Sequence, residues 1–178
     1  ALEVLGIAHR DIARRHRLLH DEVEAFLATC DRTTWTGRRD HALLVLVIQT
    51  GLRVSELTAL TCADIHLDAG PHVRCVGKGR KDRRTPLVAP SVDVLRAWLA
   101  ERGGAPPDPL FPTSTGRRLS RDAIEHRVAF YVIRAAEKCP SIRTKHVTAH
   151  TLRHTCAMRL LLSGVDVTVI ALWLGHEQ

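Results

Sequence analysis

Hydrophobic residues recur along most of the chain with the spacing of helices. Residues 42–48 are apolar on every side, which predicts a buried helix from about residue 37 to 49 that Gly51 ends as a C-terminal cap. Helical periodicity returns in later stretches, at residues 91–102, 120–138, 148–163 and 166–174. The last three stretches begin at residues suited to N-caps, namely Ser120, Thr148 and Asp166.

Two shorter helices are predicted nearer the start of the chain. Asp21 and Glu24 are spaced like a capping box, with Asp21 accepting a free amide and Glu24 reaching back, in a helix that ends near Thr29. Ser55 is placed to cap a second short helix, which contains Glu56.

Between residues 65 and 88 the apolar spacing changes from helical to alternating. Residues 72–76 alternate between apolar and polar side chains, and residues 83–88 follow a turn rich in glycine and lysine. This pattern predicts an antiparallel sheet with an exposed basic tip at residues 77–83. The expected fold class is therefore mainly α with a small antiparallel three-stranded β-sheet.

The length of 178 residues is that of one domain. We expect residues 1–19, which are rich in Arg and His, to form a linker or arm, and residues 20–178 to form the folded domain. The one methionine is Met158, so Ala1 is not expected to be a translational start. Both ends of the chain are expected to be cut from a longer protein.

Basic side chains outnumber acidic ones, because 26 Lys and Arg face 19 Asp and Glu for a formal net charge of +7. Such an excess fits a polyanionic partner. Only 4% of the residues are aromatic, which disfavours a base-stacking platform for single strands. Duplex DNA held through its phosphates suits this composition better.

Two further features exclude other classes of protein. Five widely spaced cysteines without a C-x-x-C pair disfavour a zinc site and a disulfide framework, and are typical of reduced thiols in the cytoplasm. The chain has no signal peptide and no apolar run of about 18 residues, so neither export nor a membrane partner is expected.

Four short motifs carry basic or proton-transferring side chains along the chain. In order they are Thr50-Gly51-Leu52-Arg53-Val54-Ser55-Glu56-Leu57, Gly77-Lys78-Gly79, His150-Thr151-Leu152-Arg153 and Leu174-Gly175-His176. An arginine fork can bind two oxygens of a phosphodiester at once, and a glycine-flanked lysine on a turn can close over it. His150 and Arg153 are three residues apart, so they project from one face of a helix.

The order and contexts of these motifs resemble the catalytic domain of the tyrosine recombinases, also called the phage integrase family, from about His20 to Gln178. The resemblance implies a set of catalytic residues, namely Arg53, Lys78, His150, Arg153 and His176. It also implies that Glu56 holds the fork of Arg53 in position. Basic residues of the hairpin are expected to bind DNA, namely Lys78, Arg80, Lys81, Arg83 and Arg84.

The resemblance further implies site-specific recombination or integration, in which DNA is cut and rejoined through a 3′-phosphotyrosyl intermediate. The arginines and histidines would stabilise charge on the phosphorus, and Lys78 would protonate the departing 5′ oxygen. The nucleophilic tyrosine is expected after Gln178, so the chain alone is expected not to cleave DNA. Tyr131, the one tyrosine present, lies before the His-x-x-Arg motif and is interpreted as a core or interface aromatic.

The expected partner is double-stranded DNA, bound by a homotetramer of the full-length protein and by a monomer of the present chain, without a metal or other cofactor. His150 and His154 have zinc-like spacing, but Thr151 stands where a metalloprotease helix has glutamate, and no third ligand is evident. We expect a cytoplasmic, nucleoid-associated protein of a bacterium or phage.

Two alternatives stay open. A type IB topoisomerase-like enzyme would use similar chemistry to relax supercoils, whereas a non-catalytic DNA-binding or regulatory module would need no nucleophile. The residues after Gln178 separate the second alternative from a recombinase, because a tyrosine shortly beyond His176 supports catalysis.

Overall fold

The computed structural model describes residues 17–76 and 82–175. Helices within these residues are α1 (His20–Leu27), α2 (Trp35–Thr50), α3 (Val54–Ala59), α4 (Ala89–Arg102), α5 (Arg121–Lys138), α6 (Ala149–Leu162) and α7 (Val167–Leu174). The strands are β1 (Ile65–His66), β2 (His72–Val76) and β3 (Asp82–Pro86), and short 3₁₀ segments lie at Cys62–Asp64 and Pro140–Thr144. The predicted fold class, mainly α with a small three-stranded antiparallel sheet, is confirmed.

Helix α2 is buried in the core, as its apolar run predicted. Leu43, Leu44 and Leu46 are all buried, and the helix packs against both α4 and α6. The chain turns at Gly51, whose φ of 65° is the left-handed conformation that favours glycine, so the predicted C-terminal cap is confirmed. Because α2 ends here, its last carbonyl groups point toward the region where α6 and α7 pack.

The three N-caps predicted for the later helices are also confirmed. The side chains of Ser120, Thr148 and Asp166 each accept a hydrogen bond from a backbone amide in the first turn of α5, α6 and α7 respectively. Each cap satisfies an amide that has no partner within its own helix, which is why these polar residues mark helix starts.

The caps predicted for the two short helices are wrong. In α1 it is Glu22, and neither Asp21 nor Glu24, that accepts the free amide, at 2.7 Å from the nitrogen of Leu19. In α3 the N-cap is Arg53 rather than Ser55. Both helices begin earlier than the sequence suggested, because a buried glutamate in the first turn reaches back to the residue before the helix.

The sheet has the order β1-β2-β3, and its register decides which basic residues face solvent. Cys75 pairs with Arg83 and Arg74 pairs with Arg84. Paired residues share a face of the sheet, and Cys75 is buried, so Arg83 points inward. Residues 77–81 of the predicted exposed tip lie outside the described residues, and for Arg83 the prediction of an exposed position is wrong, since only 12% of its side chain is exposed.

Tyr131 is buried in α5, which confirms its interpretation as a core aromatic. Its hydroxyl donates to Asp40 Oδ2 at 2.8 Å. The other carboxylate oxygen of Asp40 accepts from both Nε and Nη2 of Arg39. This arrangement satisfies a buried carboxylate with hydrogen bonds and an ion pair, as burial of charge requires.

The five cysteines are free thiols, in agreement with the sequence. Among residues 17–76 and 82–175, no helix combines the length and apolar character needed to cross a membrane.

A buried ion pair joins the start of the described chain to the segment that precedes α6. Lys145 Nζ donates to Glu22 Oε2 and to the carbonyl of Arg17, while Ser141 donates to Glu22 Oε1 at 2.7 Å. The amide of Leu18 donates to Thr155 Oγ1 on α6 at 2.9 Å. Leu18 is itself buried, so core packing begins within the segment that was expected to be a linker.

We predict that Glu22→Gln lowers the free energy of unfolding at pH 7 by about 3 kcal/mol, because it leaves Lys145 buried without its counter-charge. Burial raises the pKa of Glu22, but hydrogen bonds from Leu19, Lys145 and Ser141 outweigh it, so the pKa lies below its ordinary 4.5. The stabilisation is therefore complete above pH 4.5 and is lost as the pH falls through the lower folded-state pKa.

Urea denaturation at several pH values measures this effect, with exposed Glu24→Gln on the same helix as the control. The gap in the free energy of unfolding between wild type and Glu22→Gln should narrow below pH 4.5. A gap that stays constant down to pH 3 would contradict the assigned ion pair.

Candidate functional site

The site begins where α2 ends and α3 begins. Gly51 turns the chain so that Arg53 becomes the N-cap of α3, and Glu56 follows one turn later. Glu56 Oε2 accepts the amide of Arg53 at 2.8 Å, and Glu56 Oε1 accepts Arg53 Nη1 at 3.3 Å. The contact that the sequence predicted between Arg53 and Glu56 is thus present, and it orients a guanidinium that is 41% exposed.

Arg153 enters the same region from α6 and is buried. Its Nη1 donates to the carbonyl of Gly51, and its Nη2 donates to the carbonyl of Leu174 at 2.7 Å. One guanidinium therefore joins the C-terminal ends of α2 and α7. Helix C-termini carry partial negative charge, so both contacts favour a cation at this point.

Arg53 contacts the backbone carbonyl that follows the one contacted by Arg153. Arg53 Nη2 donates to the carbonyl of Gly175 at 3.2 Å, while Arg153 holds the preceding carbonyl, that of Leu174. Two arginines that lie far apart in sequence are thus brought together at the end of α7. His176 follows this point in the sequence and lies outside the described residues.

Arg83 is a further arginine in this cluster, and sequence reasoning assigned it to the DNA-binding tip instead. Its Nη2 donates to Glu56 Oε2 at 3.0 Å, so Glu56 lies between Arg83 and Arg53. A signal was available in the sequence, because residues of a strand alternate between faces and the apolar partner Leu87 lies on the same side as Arg83. The sequence did not show the length of the hairpin turn, which is needed to assign Arg83 to a face of the sheet.

Close backbone approach holds this cluster together. A Cβ at Gly51 would lie 2.5 Å from Leu174 Cδ2, and one at Gly175 would lie 2.0 Å from Arg83 Nη1. Gly175 also has a φ of 65°, which any larger residue would adopt with strain. Both glycines therefore allow helix ends and arginines to approach more closely than a side chain would permit.

The cluster carries more positive than negative charge. Within the part of the chain that the structure describes, Glu56 is the carboxylate that contacts Arg53 and Arg83, whereas Arg153 contacts backbone carbonyls. Burial lowers the pKa of Arg153 to about 10, and the positive charges of Arg53 and Arg83 contribute to the same shift. Arg153 is still protonated at neutral pH, so the site can attract and bind an anion such as a phosphodiester.

The remaining predicted site residues have no contact with the arginine cluster among those given above, or they lie outside the described residues. His150 lies one turn before Arg153 on α6, is exposed, and contacts His154 edge-to-face with ring centroids 5.3 Å apart. Arg84 is exposed on β3. Lys78, Arg80 and Lys81 lie outside the described residues, as His176 does. No group of three or more potential metal ligands occurs among residues 17–76 and 82–175.

The sequence profile of the phage integrase family matches residues 16–178. The chain is similar to an integrase/recombinase of Sinorhizobium fredii, y4rC, with 49% identity over 90% of this chain and 48% of the relative. It is also 39% identical to tyrosine recombinase XerC of Pelobacter propionicus, over 98% of this chain and 56% of the relative. The chain thus spans about half the length of the curated relatives it matches.

Solved structures show the same fold. The XerH site-specific recombinase bound to its difH substrate, in a pre-cleavage complex, superposes with a TM-score of 0.77 at 28% identity, covering 91% of this chain and 48% of that one. The XerA recombinase gives the same TM-score of 0.77 at 27% identity, over 91% of this chain and 55% of that one. These similarities identify a tyrosine-recombinase-like catalytic domain.

We predict that Arg153→Lys lowers the free energy of unfolding by about 2 kcal/mol, because one ammonium cannot span the carbonyls of Gly51 and Leu174 and leaves a buried acceptor unsatisfied. Urea denaturation measures the change. Arg159→Lys on the exposed side of the same helix is the matched control and should be neutral within about 0.5 kcal/mol. Equal effects of the two substitutions would contradict the bridging role.

Proposed function

The chain belongs to the phage integrase family, and we propose that it is the catalytic domain of a site-specific DNA recombinase that cuts and rejoins DNA through a 3′-phosphotyrosyl intermediate. The observation that carries the proposal is the meeting of Arg53 and Arg153 at adjacent carbonyls of residues 174 and 175. Two forks held at one place can grip the non-bridging oxygens of one phosphate.

The proposed mechanism divides its work among the residues of the site. A tyrosine oxygen attacks the phosphorus, the bond to the 5′ oxygen breaks, and a 3′-phosphotyrosine forms. Arg53, Arg153, His150 and His176 stabilise the charge that develops on the phosphoryl oxygens, each well-placed donor contributing about 2–4 kcal/mol. Lys78 protonates the departing 5′ oxygen. A 5′ hydroxyl then attacks the phosphotyrosine and reverses the step, so no energy-carrying nucleotide is consumed.

The nucleophile in this proposal is a tyrosine beyond Gln178, because Tyr131 is unsuited to the task. Tyr131 is buried and its hydroxyl donates to Asp40. Burial raises the pKa of Tyr131, and the hydrogen bond to Asp40 and the charge of that carboxylate raise it further. A phenol with a raised pKa that already donates to a carboxylate is a poor nucleophile.

Duplex DNA is the proposed partner, since the structural neighbour XerH is bound to its difH substrate and the Tn1549 transposon integrase is in complex with circular intermediate DNA. The basic residues proposed to contact the DNA backbone are Lys78, Arg80, Lys81 and Arg84, without Arg83, whose side chain is turned inward to Glu56. We propose a homotetramer for the full-length protein on two duplexes, acting on DNA in the cytoplasm. Relatives named as recombinases favour strand exchange over the relaxation of supercoils.

We predict that the chain binds duplex DNA mainly through phosphates. The affinity should fall steeply between 50 and 200 mM salt, with each neutralised phosphate adding about −0.9 to the log–log slope. Arg53→Ala should weaken binding and reduce the slope by about one unit. Fluorescence anisotropy measures both quantities.

The matched control for this measurement is Arg38→Ala. Arg38 lies at the other end of α2, about 20 Å away by helix geometry, and is paired with Glu101. The control should keep the wild-type slope. An affinity that does not depend on salt, or an equal change of slope for both variants, would contradict phosphate binding at the site.

A second prediction concerns Lys78 as the general acid and uses the full-length protein. Lys78→Ala should slow cleavage of ordinary DNA by about 10²–10⁴-fold, because a 5′ alkoxide needs a proton to depart. When sulfur replaces the bridging 5′ oxygen, the leaving thiolate needs little help, and the variant should cleave at nearly the wild-type rate. Arg153→Ala should impair both substrates, since the phosphate charge must be stabilised in either case.

Covalent protein–DNA adducts on a denaturing gel measure these rates. Failure of wild type to form any adduct with candidate sites would argue for a non-catalytic module. Failure of the sulfur substrate to rescue Lys78→Ala would make Lys78 a binding residue and would shift the acid role to Lys81 or a histidine.

A further inference from the structure

Arg83 differs from Arg74 and Arg84, its neighbours in the sheet, because its side chain is mostly shielded from solvent. It lies on β3 opposite the buried Cys75, and 12% of its side chain is exposed. Arg74, which pairs with Arg84 on the other face of the sheet, is 43% exposed and forms an ion pair with Asp64. Two arginines of one small sheet thus have opposite surroundings, and only Arg83 reaches the site.

Arg83 and Arg53 meet at the same carboxylate. Glu56 Oε2 accepts from Arg83 Nη2 at 3.0 Å and from the amide of Arg53 at 2.8 Å, while Oε1 accepts from Arg53 Nη1 at 3.3 Å. Glu56 is 4% exposed, so water does not readily replace a lost donor. With Arg83 in place, each carboxylate oxygen has a fixed direction, and that direction sets where the half-exposed fork of Arg53 points.

Arg83 also lies close to the end of α7. Its Nη1 lies where a Cβ of residue 175 would be, within 2.0 Å of that position. Residue 175 is also the one whose carbonyl accepts from Arg53 Nη2. Arg83 is therefore enclosed between Glu56 and the end of α7, and it links the sheet to both elements that contact Arg53.

The positive charge of Arg83 costs free energy at this place, because it lies close to other guanidinium groups. The guanidinium groups of Arg53 and Arg83 share one carboxylate, and like charges at short range oppose one another in a buried environment. Burial lowers the pKa of Arg153, and the positive charges of Arg53 and Arg83 lower it further. An apolar residue at position 83 would avoid this repulsion but would leave Glu56 with a single cationic partner.

We propose that Arg83 is a positioning residue for the phosphate site, which fixes Glu56 and, through it, the guanidinium of Arg53. Its position on β3, two residues after the segment 77–81, also ties the strand that follows the hairpin to the site. The effect on cleavage rests on the proposed recombinase function, whereas the effect on Arg53 does not.

The primary test measures the mobility of the Arg53 side chain by ¹⁵N relaxation in the full-length protein. Arg83→Gln should lower the order parameter of the Arg53 guanidinium toward values below about 0.6, which are typical of flexible groups. Arg74→Gln removes the same charge from the same sheet and should leave Arg53 as in wild type. If Arg83→Gln does not fold, Arg83→Lys is the second variant, because it keeps the positive charge but replaces the planar guanidinium by a single ammonium. It should lower the order parameter of Arg53 in the same way.

A kinetic test uses single-turnover covalent cleavage at saturating DNA. Arg83→Gln should slow cleavage at least 10-fold while the Kd for DNA changes less than about threefold, and Arg74→Gln should match wild type. Because Arg83 acts through Glu56, the double variant Arg83→Gln/Glu56→Gln should be no slower than Glu56→Gln alone.

Several results would overturn the proposal. These are an Arg53 order parameter unchanged in Arg83→Gln, an equal change in Arg74→Gln, or rate losses for Arg83→Gln and Glu56→Gln that multiply in the double variant. Absence of cleavage by wild type would instead refute the proposed function, and the relaxation measurement would still decide whether Arg83 positions Arg53.

Discussion

The hydrogen bonds of Arg153 are the contact on which the arrangement of the site depends. A single planar guanidinium accommodates the last carbonyl groups of both α2 and α7, which would otherwise be buried without partners. Gly51 and Gly175 end these helices in the left-handed conformation, and their lack of a side chain leaves room for Leu174 and for Arg83 respectively. Together with the hydrogen bond from Arg53 to the carbonyl of Gly175, this bridge joins the segment bearing Arg53 to the segment that leads to His176.

The choice of partners for Arg153 also connects stability with chemistry. Backbone carbonyls satisfy its N–H groups without neutralising its charge, since a carbonyl is a dipole and a carboxylate is an ion. Glu56 supplies the one negative charge to Arg53 and Arg83. The site therefore keeps an excess of positive charge while its donors remain oriented. Oriented, uncompensated cations stabilise a developing phosphoryl charge more effectively than mobile ones do.

The same helix that bears Arg153 is fixed from the other side of the domain. Thr155 on α6 accepts the amide of Leu18, and Lys145, just before α6, is held by Glu22. These contacts tie the first described residues to the helix of the site.

The elements whose signals are local could be predicted from the amino-acid sequence. The apolar run of α2, its Gly51 stop and the caps at Ser120, Thr148 and Asp166 depend on residues within one helical turn of each other, and all are found in the structure. The motifs around Arg53 and Arg153 also pointed to one site. Local spacing was insufficient at α1 and α3, because a buried glutamate competes with nearer polar residues for the role of cap.

The partners of each charged side chain, in contrast, depend on long-range packing. Arg153 is joined to helix ends that are remote in sequence, and Arg83 reaches Glu56 because the register of β2 and β3 turns it inward. Register depends on the pairing of two strands and on the length of the turn between them, and a shift of one residue would have exposed Arg83. Composition and motifs specify which charges a chain carries, whereas long-range packing selects which of them meet.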